Sequence, residues 1–161
     1  MKLIPTKISD CYQIEPEIIK DNRGSLVNTF NNKIFSQNGL ETSFVSDFYS
    51  VSKKGVLRGL HFQIPPYEYN RLVYCIEGKI LDVVFDLRLY SKTYAKFETF
   101  ILESKKAKMI YMSPGLAHGF YVLSKRAIVG YKVSSLYSEN HDKGILWNSV
   151  GIPWPNDNPI I

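Results

Sequence analysis

A chain of 161 residues has the length of one domain with a substantial core. Its 45% hydrophobic and 22% charged residues are those of an ordinary globular protein, and no apolar run approaches the roughly 20 residues of a membrane span. The net charge of +5 comes from scattered lysines without an arginine-rich helix or long basic block, which argues against nucleic acid as the partner and suits a small anionic substrate.

At the N-terminus, MKLIPTKISD places Pro5 and several charges where a secretory signal needs a continuous apolar stretch, so a cytoplasmic protein is expected. Cys11 and Cys75 make no disulfide framework and read as free thiols of a reducing compartment. Residues 24–30 and 42–52 look extended, with one short helix near 31–38. The segment GVLRGLHFQIPP, residues 55–66, also looks extended. Residues 71–76 and 79–87 follow, joined by a tight Gly-containing link, and read as a hairpin. Further strands are expected at 97–102, 107–112, 119–123 and 127–133. Residues 138–144 read as a loop or short helix. The tail from Gly151 has three prolines and should lack regular structure. Short, regularly spaced strands in one domain, residues 1–161, predict an all-β sandwich or barrel.

Three places combine polar groups with backbone punctuation. Arg58 and His61 stand three apart, on opposite faces of a strand unless Gly59 bends it. In MSPGLAHGF, a Pro-Gly turn leads into His118. In AIVGYKV, Tyr131 brings a phenol into an apolar strand. Each has a plain structural reading, because a histidine among apolar neighbours usually packs and a strand tyrosine usually belongs to a core. A metal site built on His61 and His118 is a sharper alternative. Cupin barrels bind metal with a His-x-His pair and a downstream Glu, but His61-Phe62-Gln63 lacks the second histidine. Two histidines without a carboxylate make a poor ligand set, so no metal is expected.

Taken in order, GVLRGLHFQIPP, RLVYCIEGKILDVVFDLR, MSPGLAHGFYVLS, the Tyr131 strand and Gly151-Ile152-Pro153-Trp154-Pro155 resemble the dTDP-4-dehydrorhamnose 3,5-epimerase family. The resemblance runs from about Asp21 to Pro155. It implies a cupin-like jelly-roll β-barrel with short peripheral helices, acting as a homodimer on a nucleotide-diphosphate-linked 4-keto sugar without cofactor. It also implies that His61 is the base and Tyr131 the acid. Arg71 stands where the family has a lysine near the ketone oxygen. His118 and Asn70 join it on the sugar side, and Arg23, Arg58 and Gln63 fall on the nucleotide and diphosphate side. Arg23 in this family can reach the neighbouring subunit's site.

Departures from the family pattern modify these expectations. The family commonly has Glu where this chain has Asn28, and Gln-x-Asn where it reads Ser46-Asp47-Phe48. Changed hydrogen-bonding groups on the nucleotide side suggest a different base. The expectation is therefore GDP rather than dTDP, carried by a 4-keto heptose of bacterial capsular polysaccharide synthesis. The family's histidine is oriented by an aspartate in a Ser-x-Lys-Asp motif that does not occur before Ile161, which leaves Asp82 or another carboxylate to serve. Related alternatives are a sugar-nucleotide 3,4-ketoisomerase and a non-catalytic sugar-nucleotide-binding relative.

Overall fold

The computed structural model describes all 161 residues. Thirteen strands and one helix follow in order: β1 Lys2–Pro5, β2 Cys11–Glu15, β3 Ile18–Asp21, β4 Gly24–Val27, α1 Asn32–Gln37, β5 Ser46–Lys53, β6 Leu57–Gln63, β7 Arg71–Glu77, β8 Lys79–Asp86, β9 Phe97–Glu103, β10 Met109–Met112, β11 Leu116–Val122, β12 Arg126–Val133 and β13 Asp142–Gly144. They form a six-stranded sheet in the order β1-β2-β10-β7-β12-β5, a five-stranded sheet in the order β13-β6-β11-β8-β9, and a separate β3–β4 hairpin. No helix is long and apolar enough to cross a membrane. The all-β jelly-roll expectation holds.

Period-two alternation explains how continuous apolar strands serve two layers. In β7, Val73 and Cys75 face the core between the sheets, while Leu72 and Tyr74 face a second cluster outside the six-stranded sheet. In β11, Leu116, Phe120 and Val122 point inward, and Ala117 and Tyr121 point to a third cluster outside the five-stranded sheet. Helix α1 covers one outer face with buried Phe35, which meets Phe30 edge-on at 4.9 Å. Asn31 caps the helix by accepting from the Ile34 N–H at 3.1 Å. The proline-rich tail covers the other outer face through Ile152 and Trp154. It lacks regular strands, as expected, and Ile160 adds one bridge to Val56.

Two local expectations are corrected. Residues 71–76 and 79–87 do not form a hairpin, because β7 belongs to the six-stranded sheet and β8 to the five-stranded one. Only Gly78 separates them, with φ +86°, and a Cβ there would lie 2.1 Å from the Arg126 carbonyl oxygen. One residue is too short for a two-residue hairpin turn, and the chain instead turns a corner between sheets. Residues 138–144 are neither wholly loop nor helix. Their last three form β13, which pairs with β6 as Asp142↔Gln63 and Gly144↔His61.

Candidate active site

The inward phase of four strands assembles the polar groups at one end of the interior. On β7, Arg71 shares its phase with Val73 and Cys75, and it is 3% exposed. On β11, His118 shares the phase of Leu116 and Phe120. It stands directly opposite His61 of β6, with ring centroids 6.2 Å apart. On β12, Tyr131 follows Val129 into the same core.

The bend expected at Gly59 is present. Its φ is +112°, and the β6–β11 register shifts between His118 and Phe120. A Cβ at Gly59 would lie 2.5 Å from the His118 carbonyl oxygen and 2.6 Å from the Gly119 Cα. This bulge brings Arg58 and His61 to one cavity of about 550 Å³, shared with Phe48, Ser50, Tyr131, Asp142 and Lys143. A second cavity of about 500 Å³ adjoins it through Phe48, His61 and Asp142, and adds Tyr69 and Tyr137.

His61 is held through one ring nitrogen and faces a carboxylate with the other. Arg71 Nη1 donates to its Nε2 at 3.1 Å. Guanidinium only donates, so Nε2 of the neutral ring carries the lone pair and Nδ1 the proton. The carboxylate facing Nδ1 is Asp142, whose Oδ1 lies 4.0 Å away. Burial, then the charge of Arg71, then His118 hold the His61 imidazole well below its ordinary value. Burial raises the Asp142 carboxyl. Arg71 is itself fixed by Tyr69, whose hydroxyl accepts from Nη2 and whose ring lies 4.7 Å from the guanidinium carbon.

Tyr131 is 5% exposed, with its hydroxyl 3.3 Å from Ser50 Oγ. Burial pushes its phenol up to about 12, against a smaller lowering by Ser50. At neutral pH the site therefore presents an unprotonated imidazole, a protonated phenol and a permanent cation around one cavity. That set can move protons on and off a carbon next to a carbonyl.

Of the other sequence-predicted residues, Arg58 alone lines this cavity. His118, expected near the sugar, is fully buried, and its Nε2 lies 2.7 Å from Asp82 Oδ2. Strand alternation puts both groups inside the barrel, behind His61, so Asp82 serves His118 rather than orienting His61. Gln63 is not free for a nucleotide. Its amide donates to the Tyr67 and Leu136 carbonyls at 2.7 and 3.0 Å and accepts from the Ser138 N–H at 2.6 Å. Asn70 lines a different polar cavity, where its Oδ1 accepts from the Tyr111 hydroxyl at 2.7 Å. Arg23 sits on the β3–β4 hairpin with its side chain 86% exposed and paired with Asp21 at 2.6 Å. Arg58 lines the cavity and donates to Ser52 Oγ at 3.0 Å.

Sequence reasoning placed Phe48 on the nucleotide side of the pocket but missed its place beside Tyr131, and it missed Ser50, Tyr69, Asp142 and Lys143 as parts of this end of the barrel. Alternation along β5 could have paired Phe48 with Ser50. The three-residue β13 that carries Asp142 gives no periodic signal. Nowhere do three or more His, Cys, Asp or Glu side chains converge in the way a metal centre needs.

A family model described as dTDP-4-dehydrorhamnose 3,5-epimerase matches residues 5–161. Similarity to the dTDP-4-dehydrorhamnose 3,5-epimerase of Shigella flexneri is 40% identity over 164 residues, covering 100% of this chain and 91% of that one. Among solved structures, dTDP-4-dehydrorhamnose 3,5-epimerase from Bacillus anthracis, with TDP and PPi bound, superposes with a TM-score of 0.95 at 39% identity, covering 99% of this chain and 93% of that one. A dTDP-6-deoxy-D-glucose-3,5-epimerase from Legionella pneumophila, in complex with dTDP-4-keto-L-rhamnose, gives 0.94 at 34% identity, covering 99% and 86%. Shared motifs, a shared barrel and similarity along nearly the whole length lead to one conclusion: the chain belongs to the dTDP-4-dehydrorhamnose 3,5-epimerase family.

Proposed function

We propose that the protein inverts C3 and C5 of a dTDP-linked 4-keto-6-deoxy hexose, and the single observation carrying this is the cavity that His61, held by Arg71, shares with Tyr131. The C4 ketone acidifies the hydrogens at C3 and C5. On substrate entry, Arg71 turns from His61 Nε2 to the C4 oxygen, which frees the base and places a cation where charge develops. Nε2 takes the C3 proton, and the C–H electron pair moves into a C3–C4 double bond as the carbonyl pair moves to oxygen. The enolate collapses back to the ketone as Tyr131 Oη gives its proton to the opposite face of C3. Tyr131 then regains a proton from water, and His61 releases one. The same cycle follows at C5. Arg58 and Lys143 supply positive charge on the cavity wall for the diphosphate, and Tyr137 offers an aromatic surface for the base.

The GDP-heptose expectation rested on Asn28 and on Ser46-Asp47-Phe48. The relatives described are named for dTDP sugars, which supports thymidine diphosphate instead. Asn28 also has a local role, accepting from the Phe30 N–H at 3.2 Å. Titrations with TDP and GDP test the choice, and clear preference for GDP restores the heptose reading. Incubation of a dTDP-4-keto-6-deoxy hexose in D2O tests the reaction. Deuterium at C3 and C5 with the ketone retained at C4 supports it, ketone migration supports the ketoisomerase, and absence of label supports a binding protein.

We also propose that it works as a homodimer in the cytoplasm. Strand β5 is a sheet edge with Tyr49 and Val51 exposed, and the separate β3–β4 hairpin bears exposed Ile19 and Leu26. A second copy on this edge would shield those groups and give Arg23 a site to enter. Cys11 and Cys75, unpaired and buried, suit a reducing compartment.

A further inference from the structure

Tyr131 is gripped unequally on its two sides. On one side His118 meets it edge-on, with centroids 6.3 Å apart and planes at 80°. That histidine is fully buried and bonded to Asp82. On the other side lies Phe48, the direct cross-strand partner of Tyr131 in the β5–β12 pairing. The two rings stack with centroids 4.9 Å apart and planes only 15° from parallel.

Phe48 is an unusual residue to find there. It is 49% exposed, so packing alone gains little from a large apolar ring at this position. It stands on an edge strand, hydrogen-bonded to a neighbour on one side only. It lines both adjoining cavities and so forms a wall between them. Ser50, two residues along the same face, holds the Tyr131 hydroxyl at 3.3 Å. The hydroxyl contact holds one point of the phenol. Contact across its flat face, from the one neighbouring ring that is itself half exposed, sets its tilt.

We propose that Phe48 is a positioning residue for Tyr131: by stacking on the phenol from β5 it sets the angle at which Oη enters the reaction cavity, and it walls that cavity from its neighbour. The inference rests on the reading of Tyr131 as the proton donor. Phe48 touches the donor ring and takes no proton itself. Its loss should leave proton removal by His61 intact while return of the proton to the opposite face fails. Water reaching the phenol should also bring its ionisation down towards the ordinary tyrosine range, because burial is the main cause that raises it.

The test compares the wild type with Phe48→Ala, Phe48→Leu and Phe48→Tyr in two measurements. The first is the ratio of inverted product to solvent deuterium exchange at the substrate carbons. The second is the pH titration of the Tyr131 ring carbon bearing the hydroxyl, followed by NMR of 13C-tyrosine protein and assigned with Tyr131→Phe. Phe48→Ala should cut the ratio about tenfold, as expected for a misaimed reacting group, and its Tyr131 should titrate below the wild-type phenol. Phe48→Leu keeps apolar bulk on the edge strand and should still lose inversion. Phe48→Tyr keeps the flat face and should restore both readouts. Wild-type inversion and titration in Phe48→Ala, or in Phe48→Leu should the alanine variant not fold, overturn the proposal. Should the wild type exchange no 4-keto sugar, the proposed reaction fails, and the Tyr131 titration still decides whether Phe48 holds the ring.

Discussion

Arg71 Nη1 donates to His61 Nε2 across 3.1 Å, so the guanidinium and the imidazole lone pair are each other's partners. Arg71 is buried and permanently charged, and the imidazole lone pair is its acceptor. A ketone oxygen that gathers negative charge competes for that guanidinium. In the proposed mechanism, stabilising the enolate and releasing the base are therefore the same movement.

Replacing Arg71 should separate these effects. Arg71→Met keeps bulk but removes the charge, and it should lower kcat about 10²–10³-fold, the usual cost of one oxyanion donor. The same change should raise the His61 ionisation, because the Arg71 charge depresses it second only to burial. Nitrogen-15 NMR of His61 reads that rise directly. Wild-type kcat in Arg71→Met would remove Arg71 from the chemistry.

Dependence on pH has a defined sign. The folded His61 imidazole sits well below the unfolded value of about 6.5. In the window between the two values the unfolded chain binds a proton and the folded chain does not, so stability rises with pH there. The contribution is complete above about pH 6.5 and declines as pH falls below it. Urea unfolding at pH 7 and pH 5 should show a larger loss in wild type than in His61→Gln. For the same reason kcat/KM should show no acid limb near 6.5. A limb there would mean that His61 is protonated in the free enzyme at mildly acidic pH.

Gly59 is required by the geometry of the site. Its φ of +112° is open to glycine, and a Cβ would strike the backbone of β11 at 2.5 Å. Gly59→Ala should cost about 2–3 kcal/mol from backbone strain of this kind, with the added clash pushing β6 away from β11. Activity should fall further than stability, since Arg58 and His61 flank the bulge. Thermal unfolding and exchange assays on the same preparation check both. A variant as active as wild type would show that β6 reaches the cavity without this bend.

Much of the fold was legible because alternation and turn residues are local. The strands from 97 to 133, the single helix and the irregular tail all follow from short-range pattern. The β7–β8 corner was not, because a glycine between two apolar runs looks alike whether the chain folds back or changes sheet. Sheet membership depends on which distant strands pair. The site divides in the same way. His61, Tyr131 and Arg71 come from motifs, and Gly59 shows by its type that the strand bends. Gln63 and Asn70 lie in or beside the same motifs, yet spend their polar atoms on other parts of the chain, Gln63 on Tyr67, Leu136 and Ser138 and Asn70 on Tyr111. Phe48 and Asp142 reach the cavity only through the pairing of β5 with β12 and of β13 with β6.

His118 and Asp82 form a buried pair whose worth lies in being intact. Both side chains are sealed from water, and Asp82 Oδ1 and His118 Nδ1 have no other partner. Such a pair is expensive to bury, and breaking it from one side leaves a polar group stranded, at a typical cost of about 3–5 kcal/mol. Asp82→Leu should fall in that range by urea denaturation. Replacing both partners with apolar groups strands nothing, so Asp82→Leu combined with His118→Phe should recover most of the lost stability. Activity should not return with it. The ring that braces Tyr131 edge-on and contributes to the field on His61 would be gone. A double variant no more stable than Asp82→Leu alone would show that the cost lies in packing rather than in the stranded histidine. A stable double variant with full epimerisation would show that the pair holds the barrel together without acting on the site.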